Sequence, residues 1–312
     1  MWLLYLRHDW DVTTGSRDNP CGSLMSSGSF IGQEAGQVWR PDDCQMRIYS
    51  RQDLNFCMQT IKRSRNGNEA NVVFAGDSRI RQLRDALFYE LTGNDRDWLS
   101  NKNVTHIPSA YAKHSNNELL LRDSGVRIEF IWAAGLGDWN GKAAASLRKL
   151  AWRDAQRRPN LLVLGSGAWA IWECEKQNRS QSHCVSEYKK TFKLLLPTLT
   201  EIAKHTHVIW APQLMVNESV WISTGRAFTN QNMKIYNNAI ITVLDSTSNH
   251  GVIYWKSMQT ISSLLNDSLD GLHFGPRAKY YDTQMLLNLL CNSVSGSFNN
   301  FGDNNCCTGS TS

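Results

Sequence analysis

A chain of 312 residues, 41% hydrophobic and 20% charged, has the make-up of a globular protein with a substantial core. Its net charge of +5 is too mild for a nucleic-acid footprint, so no nucleic-acid partner is expected, although an anionic substrate would suit it. No stretch approaches the roughly 18 consecutive apolar residues that span a bilayer. The opening MWLLYLRHDW is too short for a signal peptide's apolar region plus its cleavage site.

Residues 9–50 are rich in Gly, Ser, Asp and Asn without a sustained period. They read as a loop-rich arm held by Cys21 and Cys44, with Trp39 as an apolar anchor. Residues 52–63 form a short predicted helix and 64–68 a turn, so the arm is taken as residues 1–68 and the main domain as 69–293. The domain opens on NVVFAGDSRIRQLRDALFYELTG: an apolar strand (Val72 to Ala75), a turn at Gly76-Asp77-Ser78, then a helix. Ile80, Leu83, Leu87, Phe88 and Leu91 recur along that helix at the spacing that lines one face.

Residues 98–119 are polar and irregular. Residues 120–132 alternate apolar and charged, predicting one half-exposed strand that ends at Gly135-Leu136-Gly137. A helix is predicted over 142–158, a buried strand over 160–165 with a turn at Ser166-Gly167, and a helix over 185–204 kinked or divided at Pro197. A strand over 205–212, a helix over 227–244, a short strand over 252–255 and a helix near 261–265 follow. The chain ends in a loop containing Asp270 and His273, a last helix to Cys291, and a polar Cys-containing tail, 294–312. Strands alternating with helices imply a parallel sheet covered on both faces, a three-layer α/β/α domain. Its strand ends gather Ser78, Gly135, Ser166, Gly167, Asp270 and His273 on one edge.

A strand–turn–helix junction places Ser78 where free N–H groups and the positive end of the helix dipole stabilise developing negative charge. A serine hydroxyl needs an adjacent base, and the base an orienting group. An Asp three residues before a His can hold one ring nitrogen and leave the other for the serine. Ser78, His273 and Asp270 are therefore the candidate nucleophile, base and orienting carboxylate. The competing reading of Gly-Asp-Ser is an ordinary helix cap, and Asp77 is expected to be structural.

The two blocks resemble those of the GDSL/SGNH-type esterase superfamily, in which the Ser of the first block and the Asp and His of the last form the triad. More closely, GDSRIRQL, SLDGLH and the following LLNLLCN resemble the luminal domain of the sialic acid O-acetyltransferase family. CGSLMSSGSFIG, WRPDDCQMRIYS, VRIEFIW, LGSGAWAIW, KIYNNAIITVL and the Cys306-Cys307 pair extend the likeness along most of the chain. The resemblance implies an SGNH-hydrolase-like, flavodoxin-like fold in a Golgi lumen. It implies acetyl transfer from acetyl-CoA, as co-substrate and with no tightly bound cofactor, through acetyl-Ser78 to a hydroxyl of CMP-sialic acid or a sialoglycan. Family members continue into a multi-pass membrane portion, so any membrane attachment is expected only through segments outside this chain.

The superfamily completes its oxyanion hole with a Gly N–H from the second block and an Asn side chain from the third. Here Gly135 or Gly137 fills the first role, with Asn140-Gly141 a competing match. LGSGAWAIW has no Asn at the third-block place, which leaves Ser166 or the Gly167 N–H as substitutes. Arg79, beside the nucleophile, is a candidate for the sialate carboxylate or the coenzyme A phosphates, whereas Arg81 is expected to be a solvated first-turn residue. Trp169 reads as a sugar platform or, more commonly, a buried Trp. A carbohydrate O-acetylesterase with the same triad is the alternative function, and an inactive glycan-binding module the second.

Eight cysteines form an even set without a zinc-type CxxC pair, and Cys174 and Cys184 bracket a loop that a disulfide could close. With four sequons, at Asn103, Asn178, Asn217 and Asn266, they favour an oxidising lumen. His205 and His207 share a strand face, but no third ligand lies at a telling distance and no metal is expected.

Overall fold

The computed structural model describes residues 20–32, 36–94, 114–221, 227–292 and 305–307. The opening residues, the Asn103 sequon and most of the tail lie outside them. The arm comprises α1 (Pro20–Ser26), a hairpin of β1 (Gly28–Ile31) and β2 (Val38–Pro41), and α2 (Arg51–Ser64). Ser50 and Asp53 start α2 with a reciprocal capping box, each side chain meeting the other's backbone N–H.

The main domain runs β3 (Ala70–Gly76), α3 (Ser78–Thr92), β4 (Asn117–Leu121), β5 (Val126–Trp132), α4 (Leu136–Asn140) and α5 (Lys142–Ala151). It continues through β6 (Leu161–Gly165), α6 (Ala168–Lys176), α7 (Gln181–Ala203), β7 (His207–Trp210) and α8 (Glu218–Trp221). Last come α9 (Asn230–Asp245), β8 (Val252–Tyr254), α10 (Lys256–Leu265) and α11 (Pro276–Asn292).

The central sheet has the order β4-β5-β3-β6-β7-β8, parallel except for the antiparallel edge strand β4. The parallel strands alone read 2-1-3-4-5, the flavodoxin-like order, with the switch point between β3 and β6. Successive side chains of a strand face opposite ways, and β3 feeds both faces. Val72 and Phe74 enter a core with Met58, Leu83, Met258 and Leu287, whereas Val73 and Ala75 enter a second with Leu147, Phe192, Leu199 and Ile240. This is the three-layer α/β arrangement expected from the alternation of elements.

Several expectations change in detail. The strand predicted over 120–132 is a hairpin: β4 and β5 pair antiparallel around a turn in which Gly125 takes φ +68°. The sequence marks the break itself: Arg122-Asp123-Ser124-Gly125 is a polar, Gly-ending turn cluster between two apolar runs, which the single-strand reading passed over. The helix predicted to residue 158 ends at Ala151. Beyond it Arg153 turns back to grip the Glu129 carboxylate with Nη1 and Nη2, and the Gln156 and Arg158 carbonyls accept from Arg65. Residues 153–158 thus anchor onto β5 and the end of α2 instead of extending the helix. Helix α6 was not anticipated, and α7 continues through Pro197 as one helix.

All eight cysteines are paired. Cys21–Cys307, Cys44–Cys306 and Cys57–Cys291 tie the arm to the C-terminal helix and tail, and Cys174–Cys184 joins α6 to α7 as its short loop suggested. Four bridges fit an oxidising compartment. Among the described residues no helix is long and apolar enough to cross a membrane.

Candidate active site

Strand register builds the site. Gly76 lies opposite both Trp132 of β5 and Gly165 of β6, so the three strands end level at the switch point. The segments that follow, 77–78, 133–135 and 166–167, therefore emerge side by side. The close approach requires glycine: a Cβ on Gly76 would sit 2.2 Å from the Gly165 carbonyl oxygen.

Asp77 is the N-cap of α3. It is fully buried and accepts from the Arg79 backbone N–H at 3.0 Å. Ser78 is the first helical residue, half-buried, with its backbone N–H unpartnered among the described residues, as first-turn amides are. Its Oγ lies 2.7 Å from His273 Nε2, and His273 Nδ1 lies 2.6 Å from Asp270 Oδ2. The other Asp270 oxygen accepts from the backbone N–H groups of His273 at 2.8 Å and Leu272 at 3.0 Å. Burial raises the Asp270 carboxyl, but hydrogen bonding to and the charge of His273, with those two backbone donors, outweigh it and hold it well below the usual carboxylate range. Two segments 195 positions apart thus form one row of hydroxyl, imidazole and carboxylate.

The residues expected around that row fare differently. Arg79 is 4% exposed and turned inward, its Nη2 donating to Asp77 Oδ2 at 2.8 Å and to Gln213 Oε1. Its charge is paired with Asp77, while its Nε and Nη1 have no hydrogen-bond partner among the described residues. Arg81, expected in solvent, is also buried; burial lowers its guanidinium, with the Asp85 carboxylate opposing. The Ser166 hydroxyl donates to the Ala134 carbonyl at 3.1 Å, so its one proton is spent and it cannot face an oxyanion. The Gly135 N–H, with that of Ala134, donates to Asp138 Oδ2 at 3.2 and 3.0 Å, capping α4 rather than opening toward Ser78. Gly167 is different: its φ is +148°, and its N–H has no partner among the described residues.

Beside this edge stand Trp132, Trp169 and Trp172. Trp169 meets Trp132 edge-on at 6.2 Å and Trp172 at 5.5 Å between ring centroids, and Trp172 is 38% exposed. Trp169 is half-buried, between the two states its sequence context allowed. No group of three or more His, Cys, Asp or Glu able to hold a metal ion occurs among the described residues.

Sequence reasoning missed Gln213 and Tyr188, whose side chains both donate to the Ser166 carbonyl. A signal for Gln213 was present, since it follows Pro212 just past the carboxyl end of β7, on the ligand-binding edge of an open sheet. Tyr188 stands in α7 between Glu187 and Lys189-Lys190, far from any strand end, and carried none.

No family model matches the chain. The chain is 28% identical over 295 residues to the N-acetylneuraminate (7)9-O-acetyltransferase of Danio rerio, an alignment covering 94% of this chain and 33% of the relative. Among solved structures, an α/β hydrolase enzyme from the metagenome of Lake Arreo aligns at 15% identity and TM-score 0.43, covering 72% of this chain and 95% of its own. An acetylxylan esterase from Geobacillus stearothermophilus aligns at 12% identity and TM-score 0.40, covering 72% and 94%. The resemblance read from GDSRIRQL and SLDGLH is thus borne out along nearly the whole chain, which spans about a third of the length of the acetyltransferase it is similar to.

Proposed function

We propose that this chain transfers an acetyl group through Ser78 to a hydroxyl of a sialic acid, with acetyl-CoA as donor and CMP-sialic acid or a sialoglycan as acceptor, in the Golgi lumen. The observation that carries the reading is the Ser78–His273–Asp270 row, and the acetyltransferase relative favours a sugar acceptor over water.

Ser78 Oγ attacks the thioester carbonyl while His273 Nε2 takes the hydroxyl proton. Asp270, kept ionised, holds the Nδ1–H tautomer and stabilises the imidazolium. The oxyanion is met by the N–H of Ser78 and that of Gly167, at the positive end of α3. Collapse breaks the C–S bond, the departing thiolate takes the proton from His273, and acetyl-Ser78 remains. A sugar hydroxyl then gives its proton to His273 and attacks the ester. Collapse breaks the bond to Ser78 Oγ, which recovers the proton. The half-exposed Trp132, Trp169 and Trp172 suit the apolar face of a ring-bearing substrate.

The test is incubation with acetyl-labelled acetyl-CoA, followed by mass spectrometry of the peptide containing Ser78. Label that appears on Ser78 and passes to CMP-sialate is the expected result, absent in Ser78→Ala and His273→Ala. Release of that label to water alone would make the chain an acetylesterase. Absence of label, together with no cleavage of generic acetyl esters, would leave a glycan-binding module and overturn the reading.

A further inference from the structure

The third block lacks the side-chain amide that the superfamily aims at the oxyanion, yet its loop is held by more buried polar contacts than an idle turn requires. The Ser166 carbonyl accepts from both the Tyr188 hydroxyl and Gln213 Nε2. Ser166 and Gln213 are each 1% exposed, and Tyr188 is buried with them. Gln213 is itself fixed at its other end. Its Oε1 accepts from Arg79, and its backbone N–H and carbonyl pair with the side-chain amide of Asn237 at 2.7 and 2.8 Å. With Oε1 taken by a guanidinium, the Gln213 amide has only one orientation, and its Nε2 must face Ser166.

Across a trans peptide the carbonyl and the following N–H point in opposite directions. There are no cis peptides among the described residues. Two donors drawing the Ser166 carbonyl into the core therefore turn the Gly167 N–H outward, away from Tyr188 and Gln213. Strand register puts that amide beside the Ser78 turn, because Gly165 and Gly76 are paired. Gly167 makes this possible, since its φ of +148° suits only glycine and a Cβ there would lie 2.7 Å from Gln213 Cδ. Burial pushes the Tyr188 phenol well above its ordinary range, with Arg79 opposing, so it remains a neutral donor.

We infer that Gln213 and Tyr188 are positioning residues which, through the Ser166 carbonyl, aim the Gly167 N–H at the oxyanion in place of the missing asparagine. Arg79, held by Asp77, couples that loop to the nucleophile's own turn. This rests on the acyl-transfer reading of Ser78.

The experiment compares the Ser78-dependent burst of p-nitrophenolate from p-nitrophenyl acetate in the wild-type chain, Tyr188→Phe, Gln213→Glu and the double variant, with melting temperatures alongside. Gln213→Glu keeps the acceptor for Arg79 and removes the donor to Ser166; Tyr188→Phe keeps the ring. Each single variant leaves one donor, so each is expected to slow the burst by less than about 10-fold. The double variant frees the peptide and should slow it by about 10- to 100-fold, approaching the loss of one oxyanion donor. Half-saturation by the ester should stay within about 2-fold, because the contact is made in the transition state. A double variant with the wild-type burst rate, or one that changes only half-saturation, overturns the inference. Should the double variant fail to fold, the singles decide: a slower burst at unchanged half-saturation supports it, and wild-type rates in both overturn it. A wild-type chain with no burst beyond that of Ser78→Ala would overturn the acyl-transfer reading itself, and this inference with it.

Discussion

At the scale of single residues, the chain buries charge in two ways. Asp77 and Arg79 go under together at the start of α3 and neutralise one another. Asp282 in α11 goes under alone: it is 0% exposed, and neither carboxylate oxygen has a hydrogen-bond partner among the described residues. Burial, and after it the charge of Asp267, push its carboxyl well above the usual range. A carboxyl raised in the fold keeps its proton where the unfolded chain has lost it. The folded state then binds more protons, and stability falls as pH rises from the ordinary carboxylate range toward the raised value. Asp282→Asn keeps the shape and removes the titration. Between about pH 5 and pH 8 the wild-type melting temperature should fall relative to that of the variant. Parallel curves from scanning fluorimetry would show that Asp282 is not neutral in the fold.

At the scale of elements, α11 does more than close the core. Gln284, Asn288 and Asn292 recur every four residues and line one buried stripe with side-chain amides. They pair with an extended segment of the arm as a neighbouring strand would. Asn288 accepts from the Arg47 N–H at 2.9 Å and donates to the Arg47 carbonyl at 2.7 Å; Gln284 does the same for Tyr49 at 2.8 and 3.3 Å. Asn292 reaches the Cys306 carbonyl. The ladder gives backbone groups of the arm hydrogen-bond partners where no strand runs beside them. Asn288→Leu would remove both hydrogen bonds to Arg47 and should cost about 1–3 kcal/mol, at about 0.5–1.5 kcal/mol for each bond. Denaturant titration measures it, and a change under about 0.5 kcal/mol would mean that water replaces the amide. Ser78 and His273 share no contact with the ladder, so the folded variant should keep the wild-type burst.

At the scale of the whole molecule, three bridges span most of the chain: sequence separations of 286, 262 and 234 for Cys21–Cys307, Cys44–Cys306 and Cys57–Cys291. Cys174–Cys184 spans only 10. A cross-link restricts the unfolded chain more when it closes a longer loop. Replacing Cys57 and Cys291 by alanine should therefore cost about 3–5 kcal/mol, and replacing Cys174 and Cys184 less, as read by denaturant midpoints. Equal losses would point to native-state packing around α2 and α11 as the main term.

How much of this was legible in the sequence follows from which forces are local. The β3–turn–α3 unit could be read because an apolar run, a turn and a period of 3.6 are all written within 23 consecutive residues. Asp270 and His273 could be paired because they are three apart, and Cys174 with Cys184 because one short loop joins them. The β4–β5 turn was written locally too, in Arg122-Asp123-Ser124-Gly125, but was passed over in favour of one strand. The inward turn of Arg79 and Arg81 could not be read, because Gln213, which meets Arg79, and α11, which packs along α3, lie far off in the chain. Gln213 and Tyr188 became part of the site only when β6, β7 and α7 were packed against one another.

By itself the sequence determined the alternation of strands and helices, the residues able to act as nucleophile, base and orienting carboxylate, and a likeness to an acetyltransferase. The tertiary structure alone decided that the Gly135 N–H is taken by Asp138 while that of Gly167 has no partner among the described residues. It also decided that Arg79 is buried against Asp77 and Gln213, and which cysteines met. The reason is physical: periodicity and capping act over a few residues. Burial, and the direction in which a carbonyl is drawn, depend on partners up to hundreds of positions away, brought together only by the closing of the sheet.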